Sequence, residues 1–255
     1  MNKLEQLFGQ KSNNLITIYT TAGYPNLSDT PVILRELDKN NVDIIEVGIP
    51  YSDPLADGPT IQATSEKALA NGMTLDILFE QLKSVQNEIS APIVLMGYYN
   101  QVMTFGLEKF LQNCQETGVS GLILPDMPYE IYLAQHKDLF EKYDQKVTFL
   151  ITPLTSEKRI KEINDATSGF VYIVSSSATT GAAQSNYNED FLVKVKSLGL
   201  TKPHQIGFGI STKEDVQKAW SFANGAIIGS AFLRVLEKSE GNLSDSIKNY
   251  LTELR

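Results

Sequence analysis

One carboxylate stands out among the residues that could do chemistry, because it interrupts an otherwise apolar β-rich segment. Glu46 lies between Ile45 and Val47 in the run from Asp43 to Ile49. If Ile45 and Val47 face one side of a strand, Glu46 faces the other. Burial favours the protonated form of a carboxyl group, which lets it give and take a proton near neutral pH. A buried ion pair is the alternative, but no Lys or Arg ends a comparable run, so the pattern favours acid–base catalysis.

The loop that follows contains two candidates for a second carboxylate. Asp53 and Asp57 both lie in the segment from Tyr51 to Pro59. Asp-Pro and Asp-Gly-Pro are also ordinary turn sequences. Spacing alone therefore leaves both a catalytic and a turn-forming interpretation open for each aspartate.

Three glycine-containing turns follow the last three β-rich runs, at residues 179–181, 207–209 and 229–230. Glycine lets the main chain approach an anion closely, and a helix N-terminus offers unpaired N–H groups to phosphate. None of the three turns contains Lys or Arg, so binding would depend on backbone amides. Each glycine alone is weak evidence, but three such turns together favour a phosphate site.

Other catalytic chemistries lack their residues in this sequence. His136 falls in a helical pattern, where we expect a solvated face, and His204 precedes a β-rich run at the end unsuited to catalysis. The one cysteine, Cys114, fits a buried helix face. Without clustered His and Cys we expect no transition-metal site, and neither a nucleophile elbow nor a P-loop is present. What remains is carboxylate acid–base chemistry on a phosphorylated small molecule.

The elements that must position these residues repeat at a steady interval of about 30 residues, the length of one strand with one crossover helix. Several runs are apolar at consecutive positions, which is typical of parallel strands buried on both faces. The predicted strands are Leu15–Thr20, Asp43–Ile49, Ile93–Gly97, Gly121–Leu124, Val147–Ile151, Phe170–Val174, Gln205–Gly207 and Ala226–Ile228.

Helical patterns with recognisable ends lie between the strands. Leu75, Leu78, Phe79 and Leu82 follow the spacing of one helix face. Helix starts are predicted at 155–157 and 211–214, and a helix end at Asn71-Gly72. Eight uninterrupted βα units predict one (β/α)8 TIM barrel over residues 1–255, with an extra N-terminal helix at 1–9 and another after strand 2 at 60–71.

A doubly wound open sheet is the alternative α/β architecture. It often has a Gly-x-Gly-x-x-Gly turn after its first strand, and residues 21–25 lack that turn. The barrel is therefore favoured, and in barrels catalytic groups stand at the C-terminal ends of the strands.

Composition limits the partners and the compartment. The 255 residues carry a formal net charge of −8, which argues against binding to nucleic acid or to anionic membranes. No apolar run approaches the roughly 20 residues of a membrane span, and no signal-peptide pattern opens the chain. With a single cysteine, we expect a cytoplasmic protein.

A longer motif carries a family resemblance. The segment from Glu46 to Gln62, EVGIPYSDPLADGPTIQ, resembles the signature of tryptophan synthase alpha subunits. The similarity continues through Thr180-Gly181, 207–210 and 229–231, and it extends from the N-terminal helix to strand 8. The resemblance implies retro-aldol cleavage of indole-3-glycerol phosphate to indole and glyceraldehyde 3-phosphate.

The resemblance also assigns residues to roles. It implies that Glu46 is the proton shuttle to C3 of the indole and that Asp57 holds the indole N–H, which shifts Asp57 from a turn residue to a catalytic one. The implied phosphate-binding residues are Gly181, Gly209, Gly229 and Ser230. The implied substrate pocket consists of Tyr19, Met96, Ile123, Tyr172, Thr180 and Phe208.

A partner is implied as well, namely the pyridoxal-phosphate-dependent beta subunit in an α2β2 complex, with no cofactor in this chain. In one place the chain departs from the family, because Ser176 stands in a loop where many members have arginine. We expect residues 181–188 to act as a lid that orders on substrate binding. The alternatives are a non-catalytic barrel that only regulates a synthase, and another phosphate-binding barrel such as an isomerase.

Overall fold

Eight parallel strands close into a barrel in the computed structural model, which describes residues 1–54, 57–175, 188–207, 209–239 and 242–255. Each strand pairs with the next one in the sequence, and β8 closes the barrel against β1. The (β/α)8 prediction is confirmed and the open doubly wound sheet is excluded. The strands are β1 (Leu15–Thr21), β2 (Ile44–Gly48), β3 (Ile93–Met96), β4 (Val119–Ile123), β5 (Lys146–Ile151), β6 (Val171–Val174), β7 (His204–Gly207) and β8 (Gly225–Ile228).

Helices surround this barrel, and several are additional to the one per strand that the repeat requires. The predicted N-terminal helix and the predicted helix after strand 2 are confirmed as α1 and α3. Short helices after β3, β4 and β8, namely α5, α7 and α12, were not predicted. The helices are α1 (Lys3–Gln10), α2 (Thr30–Lys39), α3 (Pro59–Ala70), α4 (Leu75–Val85), α5 (Tyr99–Phe105), α6 (Leu107–Glu116), α7 (Tyr129–Ile131), α8 (Lys137–Lys142), α9 (Glu157–Ala166), α10 (Glu189–Ser197), α11 (Lys213–Phe222), α12 (Ser230–Glu237) and α13 (Leu243–Glu253), with a π-helical turn at Tyr132–His136.

The predicted helix ends are found where local side-chain chemistry puts them. Ser156 accepts a hydrogen bond from the main chain at the start of α9, and Thr212 does the same for α11 together with Asp215. Gly72 follows α3 with a φ of +91°, a conformation that favours glycine.

The interior of the barrel is filled from its N-terminal end by α1. Leu4 is 1% exposed and packs in the interior cluster that contains Ile44, Phe170 and Ile227. Asn2 fixes this helix, because its side-chain amide donates to the main-chain carbonyl of Ser120. Helix α1 therefore closes the end of the barrel opposite to the strand C-termini, and any substrate has to enter from the other end.

A side-chain hydrogen bond also connects the first strand to α11, a helix late in the sequence. The indole nitrogen of Trp220 on α11 donates to the main-chain oxygen of Leu15, the first residue of β1, at 3.0 Å. Trp220 is the single tryptophan of the chain.

One expectation about histidine was wrong. His136 is only 8% exposed, and its Nε2 lies 2.5 Å from the hydroxyl oxygen of Tyr99. The main-chain N–H of Lys137 donates to Tyr132, five residues back, which makes this a π-helical turn. Such a turn changes the phase of the helix, so the 3.6-residue pattern put the imidazole on the wrong side. By contrast, Cys114 is buried and His204 is the first residue of β7, as predicted.

Candidate active site

The barrel register brings the first candidate residues together at the strand C-termini. Tyr19 on β1 pairs with Glu46 on β2, and Met96 on β3 pairs with both Gly48 and Ile123. These side chains alternate with outward-facing neighbours, so they point to the barrel interior. The pairing makes one continuous inner surface from residues far apart in the sequence.

Glu46 lies deep in that surface. Its side chain is buried, at 1% exposure, and Oε2 has no hydrogen-bond partner among the residues that the structure describes. Burial raises the pKa of Glu46 to about 8, and the negative charge of Asp57 contributes in the same direction. At neutral pH this carboxyl group is therefore mostly protonated and close to the pH at which it exchanges its proton.

The two aspartates of the following loop have different surroundings. The carboxylate of Asp57 accepts a hydrogen bond from the hydroxyl of Tyr98 at 3.1 Å, and its main-chain oxygen accepts one from the amide of Gln62 at 2.8 Å. Burial raises the pKa of Asp57, and the Tyr98 hydrogen bond opposes that rise. Asp53 is exposed and accepts from the hydroxyl of Ser52 at 2.6 Å. Asp57 thus faces the site and Asp53 forms the turn.

Two tyrosines interact electrostatically with the carboxylates, and glycines on neighbouring strands leave room for their rings. The phenol of Tyr19 lies over Gly48, and that of Tyr172 lies over Gly207, so that a Cβ on either glycine would collide with the ring. Burial and the nearby carboxylates raise the pKa of both tyrosines well above its usual value. Because Glu46 and Asp57 both affect the pKa of Tyr19 and of Tyr172, the two phenols and the two carboxylates lie close to one another.

An apolar wall completes the inner surface. Met96, Ile123 and Tyr172 belong to the interior cluster, together with Leu150 on β5 and Val174 on β6. Sequence reasoning missed Leu150 and Val174, although strand alternation from Tyr172 points to Val174. Met96, Leu150 and Val174 are only half-buried. Their exposed sides offer a flat aromatic ring an apolar surface close to Glu46.

Some of the predicted phosphate-binding residues lie on the same side of the barrel. Gly209 has a φ of +77°, which favours glycine, and Gly229 immediately precedes α12. A Cβ on Gly229 would be 3.6 Å from Tyr19, so this helix start adjoins the tyrosines. The N-terminus of α12, which begins with Ser230, has no side-chain cap, and its N–H groups suit an anion.

Other predicted residues lie outside the described part of the chain. These are Ser176, Thr180, Gly181 and Phe208, together with residues 181–187 of the predicted lid. Asn188, the last residue of that segment, accepts the hydrogen bond that starts α10.

Tyr98 was also missed by sequence reasoning. It directly follows Gly97 after β3, so its position at a strand C-terminus is the signal that could have found it.

The raised pKa of Glu46 has a consequence for stability. Above pH 4.5 an unfolded chain loses this proton, whereas the folded chain keeps it up to about pH 8. The unfolded state then binds fewer protons, so the free energy of unfolding falls as pH rises through this window, by an amount on the order of a few kcal/mol. We expect Glu46→Gln to remove this loss. The Tm of Glu46→Gln minus the Tm of the unmodified chain should therefore be larger at pH 8 than at pH 5. Thermal unfolding of both proteins at the two pH values measures this difference. An equal Tm difference at both pH values would contradict a buried neutral Glu46.

The described ranges contain neither a candidate metal site nor a helix that could span a membrane. No group of three or more His, Cys, Asp and Glu residues is arranged to hold a metal ion there. None of the helices described is long and apolar enough to span a membrane.

Comparisons with known proteins identify the family. The model of the tryptophan synthase alpha chain family matches residues 4–254. The tryptophan synthase alpha chains of Flavobacterium johnsoniae and Karelsulcia muelleri are 46% and 49% identical to this chain, with 100% and 98% of each chain covered. A tryptophan synthase complex from Pyrococcus furiosus matches with a TM-score of 0.85 at 32% identity, covering 96% of this chain and 98% of that one. The chain therefore belongs to the tryptophan synthase alpha chain family.

Proposed function

We propose that this chain cleaves indole-3-glycerol phosphate to indole and glyceraldehyde 3-phosphate, as the alpha reaction of tryptophan biosynthesis. It is a carbon–carbon lyase acting by a retro-aldol step. The observation that carries the proposal is the meeting of Glu46 and Asp57 at one end of the barrel, beside a half-buried apolar wall. Family membership supports the same reaction.

Glu46 acts as the proton shuttle in this proposal. In its neutral form, favoured by burial, it protonates C3 of the indole ring. The resulting carboxylate then accepts the proton of the glycerol hydroxyl next to the bond that breaks. The hydroxyl oxygen becomes the aldehyde oxygen, the electron pair of the carbon–carbon bond returns to the ring, and indole leaves. Glu46 ends the cycle protonated, as it began.

Asp57 stabilises the charge that C3 protonation creates. Protonation at C3 puts positive charge on the ring nitrogen. A carboxylate that accepts a hydrogen bond from the ring N–H therefore stabilises the protonated ring more than the neutral substrate. The hydrogen bond that Asp57 already accepts from Tyr98 fixes one oxygen of the carboxylate in the absence of substrate.

The apolar wall and the phosphate site orient the substrate. Tyr19, Met96, Ile123 and Tyr172, with Phe208 and Thr180 from outside the described residues, would enclose the indole ring and the glycerol chain. The phosphate would be held by Gly209, Gly229 and Ser230, with Gly181 from outside the described residues. Binding energy at the phosphate then positions the breaking bond, which is remote from it.

A substitution at Gly209 tests the phosphate site. Alanine is strained at a φ of +77° and would displace the main-chain N–H groups there. We expect Gly209→Ala to raise KM about tenfold with a smaller effect on kcat, the loss of one modest anion contact. Gly199→Ala is a matched control, because Gly199 has a φ of +61° and open space around it but lies in the α10–β7 loop, at the opposite end of the barrel. Equal KM values in the two variants would argue against phosphate binding at Gly209.

Release of free indole distinguishes the reaction from its alternatives. The purified chain is incubated with indole-3-glycerol phosphate, and indole and glyceraldehyde 3-phosphate are both quantified. Equal amounts of the two products are expected. A barrel that only regulates a synthase would release neither, and an isomerase would consume a phosphorylated substrate without forming indole.

The partner in this proposal is a tryptophan synthase beta subunit in an α2β2 complex. A structure described as the a2b2 complex of Pyrococcus furiosus tryptophan synthase resembles this chain with a TM-score of 0.87 at 34% identity. Met103 on α5 and Leu154 after β5 are exposed apolar residues at the C-terminal end of the strands, where they suit a partner covering the opening. Pyridoxal phosphate would belong to the beta subunit, and this chain would need no cofactor of its own.

We propose that residues 1–255 form one domain, because β8 closes on β1 and Trp220 on α11 donates a hydrogen bond to the first residue of β1. The cytoplasm is the proposed compartment, in keeping with a single buried, unpaired cysteine.

A further inference from the structure

The Asp57 carboxylate is held by a residue from a different βα unit. Tyr98 follows β3, is 5% exposed, and places its hydroxyl 3.1 Å from Oδ2 of Asp57. Asp57 itself lies in the loop before α3 rather than on a strand. Gln62 fixes only the main chain of Asp57, through its carbonyl oxygen. Among the residues that the structure describes, the phenol of Tyr98 is therefore the group that orients the carboxylate.

Tyr98 is in turn fixed from two sides, so it can act as a rigid donor. Its main-chain N–H donates to Oε1 of Gln101 at 3.1 Å, and the same amide group donates through Nε2 to the carbonyl of Pro50 at 2.8 Å. Gln101 thereby ties the start of α5 to the end of β2. The ring of Tyr51 packs on that of Tyr98, with centroids 4.9 Å apart. Such support holds a side chain in one geometry before a ligand arrives.

The electrostatic surroundings give this hydrogen bond a chemical role. The titratable groups of the described residues that interact with Asp57 are Glu46 on β2, Tyr19 on β1, Tyr172 on β6 and Tyr98. All are acidic. Burial raises the pKa of Asp57, and the hydrogen bond from Tyr98 lowers it. The phenol is therefore the group that favours an ionised Asp57, the form able to balance positive charge.

We infer that Tyr98 is a positioning residue for the lyase reaction, and that its hydroxyl holds the Asp57 carboxylate directed at the substrate's ring N–H. The inference rests on the proposed function and adds to it a residue that does not itself touch the reacting atoms. Gln101, which is hydrogen-bonded to Pro50, holds the main chain of Tyr98, and the hydroxyl of Tyr98 holds the carboxylate of Asp57.

Tyr98→Phe tests the inference, because it removes the hydroxyl and keeps the ring against Tyr51. Tyr99→Phe is the matched control: the same change at the next residue, removing a hydrogen bond to His136 instead. Indole release is measured from pH 5.5 to 9 for both variants. In Tyr98→Phe we expect the acid limb of kcat to move up by about one pH unit, which is a tenfold loss below that limb. KM should change little, and Tyr99→Phe should keep the profile of the unmodified chain.

Two further measurements separate positioning from a merely structural effect. In an Asp57→Asn background, Tyr98→Phe should cause no further loss of kcat, because the carboxylate on which it acts is gone. In the ligand-free chain, a ¹³C NMR titration of the aspartate carboxyls, with Asp57 assigned by its absence in Asp57→Asn, should show a higher pKa for Asp57 in Tyr98→Phe than in Tyr99→Phe.

Several outcomes would overturn the inference. An unchanged pH profile in Tyr98→Phe would do so, as would a loss of kcat that adds fully to that of Asp57→Asn, or an unchanged Asp57 titration. Failure of the proposed function looks different, because the unmodified chain and Tyr99→Phe would then release no indole either. The NMR titration still decides in that case whether Tyr98 controls the charge of Asp57.

Discussion

Glu46→Gln should lower kcat for indole release by about 10²–10⁴, the usual contribution of a positioned general acid–base group. Glutamine has nearly the same shape as glutamic acid, but it can neither give a proton to C3 of the ring nor take one from the glycerol hydroxyl. Its binding surface is almost unchanged, so KM for indole-3-glycerol phosphate should stay within a fewfold of that of the unmodified chain. Steady-state assays of indole release measure both constants.

Glu66→Gln is the matched control for this variant. Glu66 lies on α3 and is exposed, so the same change of charge there should leave kcat intact. Near-normal turnover by a folded Glu46→Gln variant would end the assignment of Glu46 as the proton shuttle. A rise in KM without a fall in kcat would reassign it to substrate binding.

Asp57→Asn should lower kcat by about 10²–10³, as is typical when a group that stabilises transition-state charge is removed. Asparagine can still accept the hydrogen bond from Tyr98, so the loop should keep its conformation. It cannot balance the positive charge on the ring nitrogen, because the amide is neutral. The loss should therefore appear in kcat, with a smaller change in KM.

Asp53→Asn provides the comparison within the same loop. Asp53 is exposed and bonds only to Ser52 among the side-chain contacts described for it, so its substitution should have little effect on turnover. If Asp53→Asn and Asp57→Asn lost activity equally, the loss would come from the loop conformation and not from a carboxylate at the substrate.

The barrel could be predicted because its signals are local and repeated. Strands buried on both faces are typically apolar at consecutive positions, and β8, with Ala226, Ile227 and Ile228, is buried along its whole length. Glu46 could be singled out for the same reason, because an ionised carboxylate is costly in such a strand and no Lys or Arg ends a comparable run to pair with it. Helix caps such as Thr212 also depend only on neighbours in the sequence.

Other features depend on contacts that no local pattern records. The different surroundings of Asp53 and Asp57 depend on Tyr98, which donates a hydrogen bond to Asp57 and is 41 residues further along the chain. The burial of His136 depends on a π-helical turn and on Tyr99 from the preceding βα unit. Contacts between separate βα units are involved in both cases, so no local sequence pattern distinguishes Asp57 from Asp53 or predicts the burial of His136.

The bond between Trp220 and Leu15 gives the chain a built-in optical reporter. The single indole of the protein sits where the first strand meets the last helical layers, far from the end of the barrel that receives the substrate. Its fluorescence should therefore report the contact between β1 and α11 during refolding. Substitutions at Glu46, Asp57 or Tyr98 should not change that fluorescence. An inactive variant with unaltered emission would therefore have lost catalytic activity while its barrel remained folded and closed.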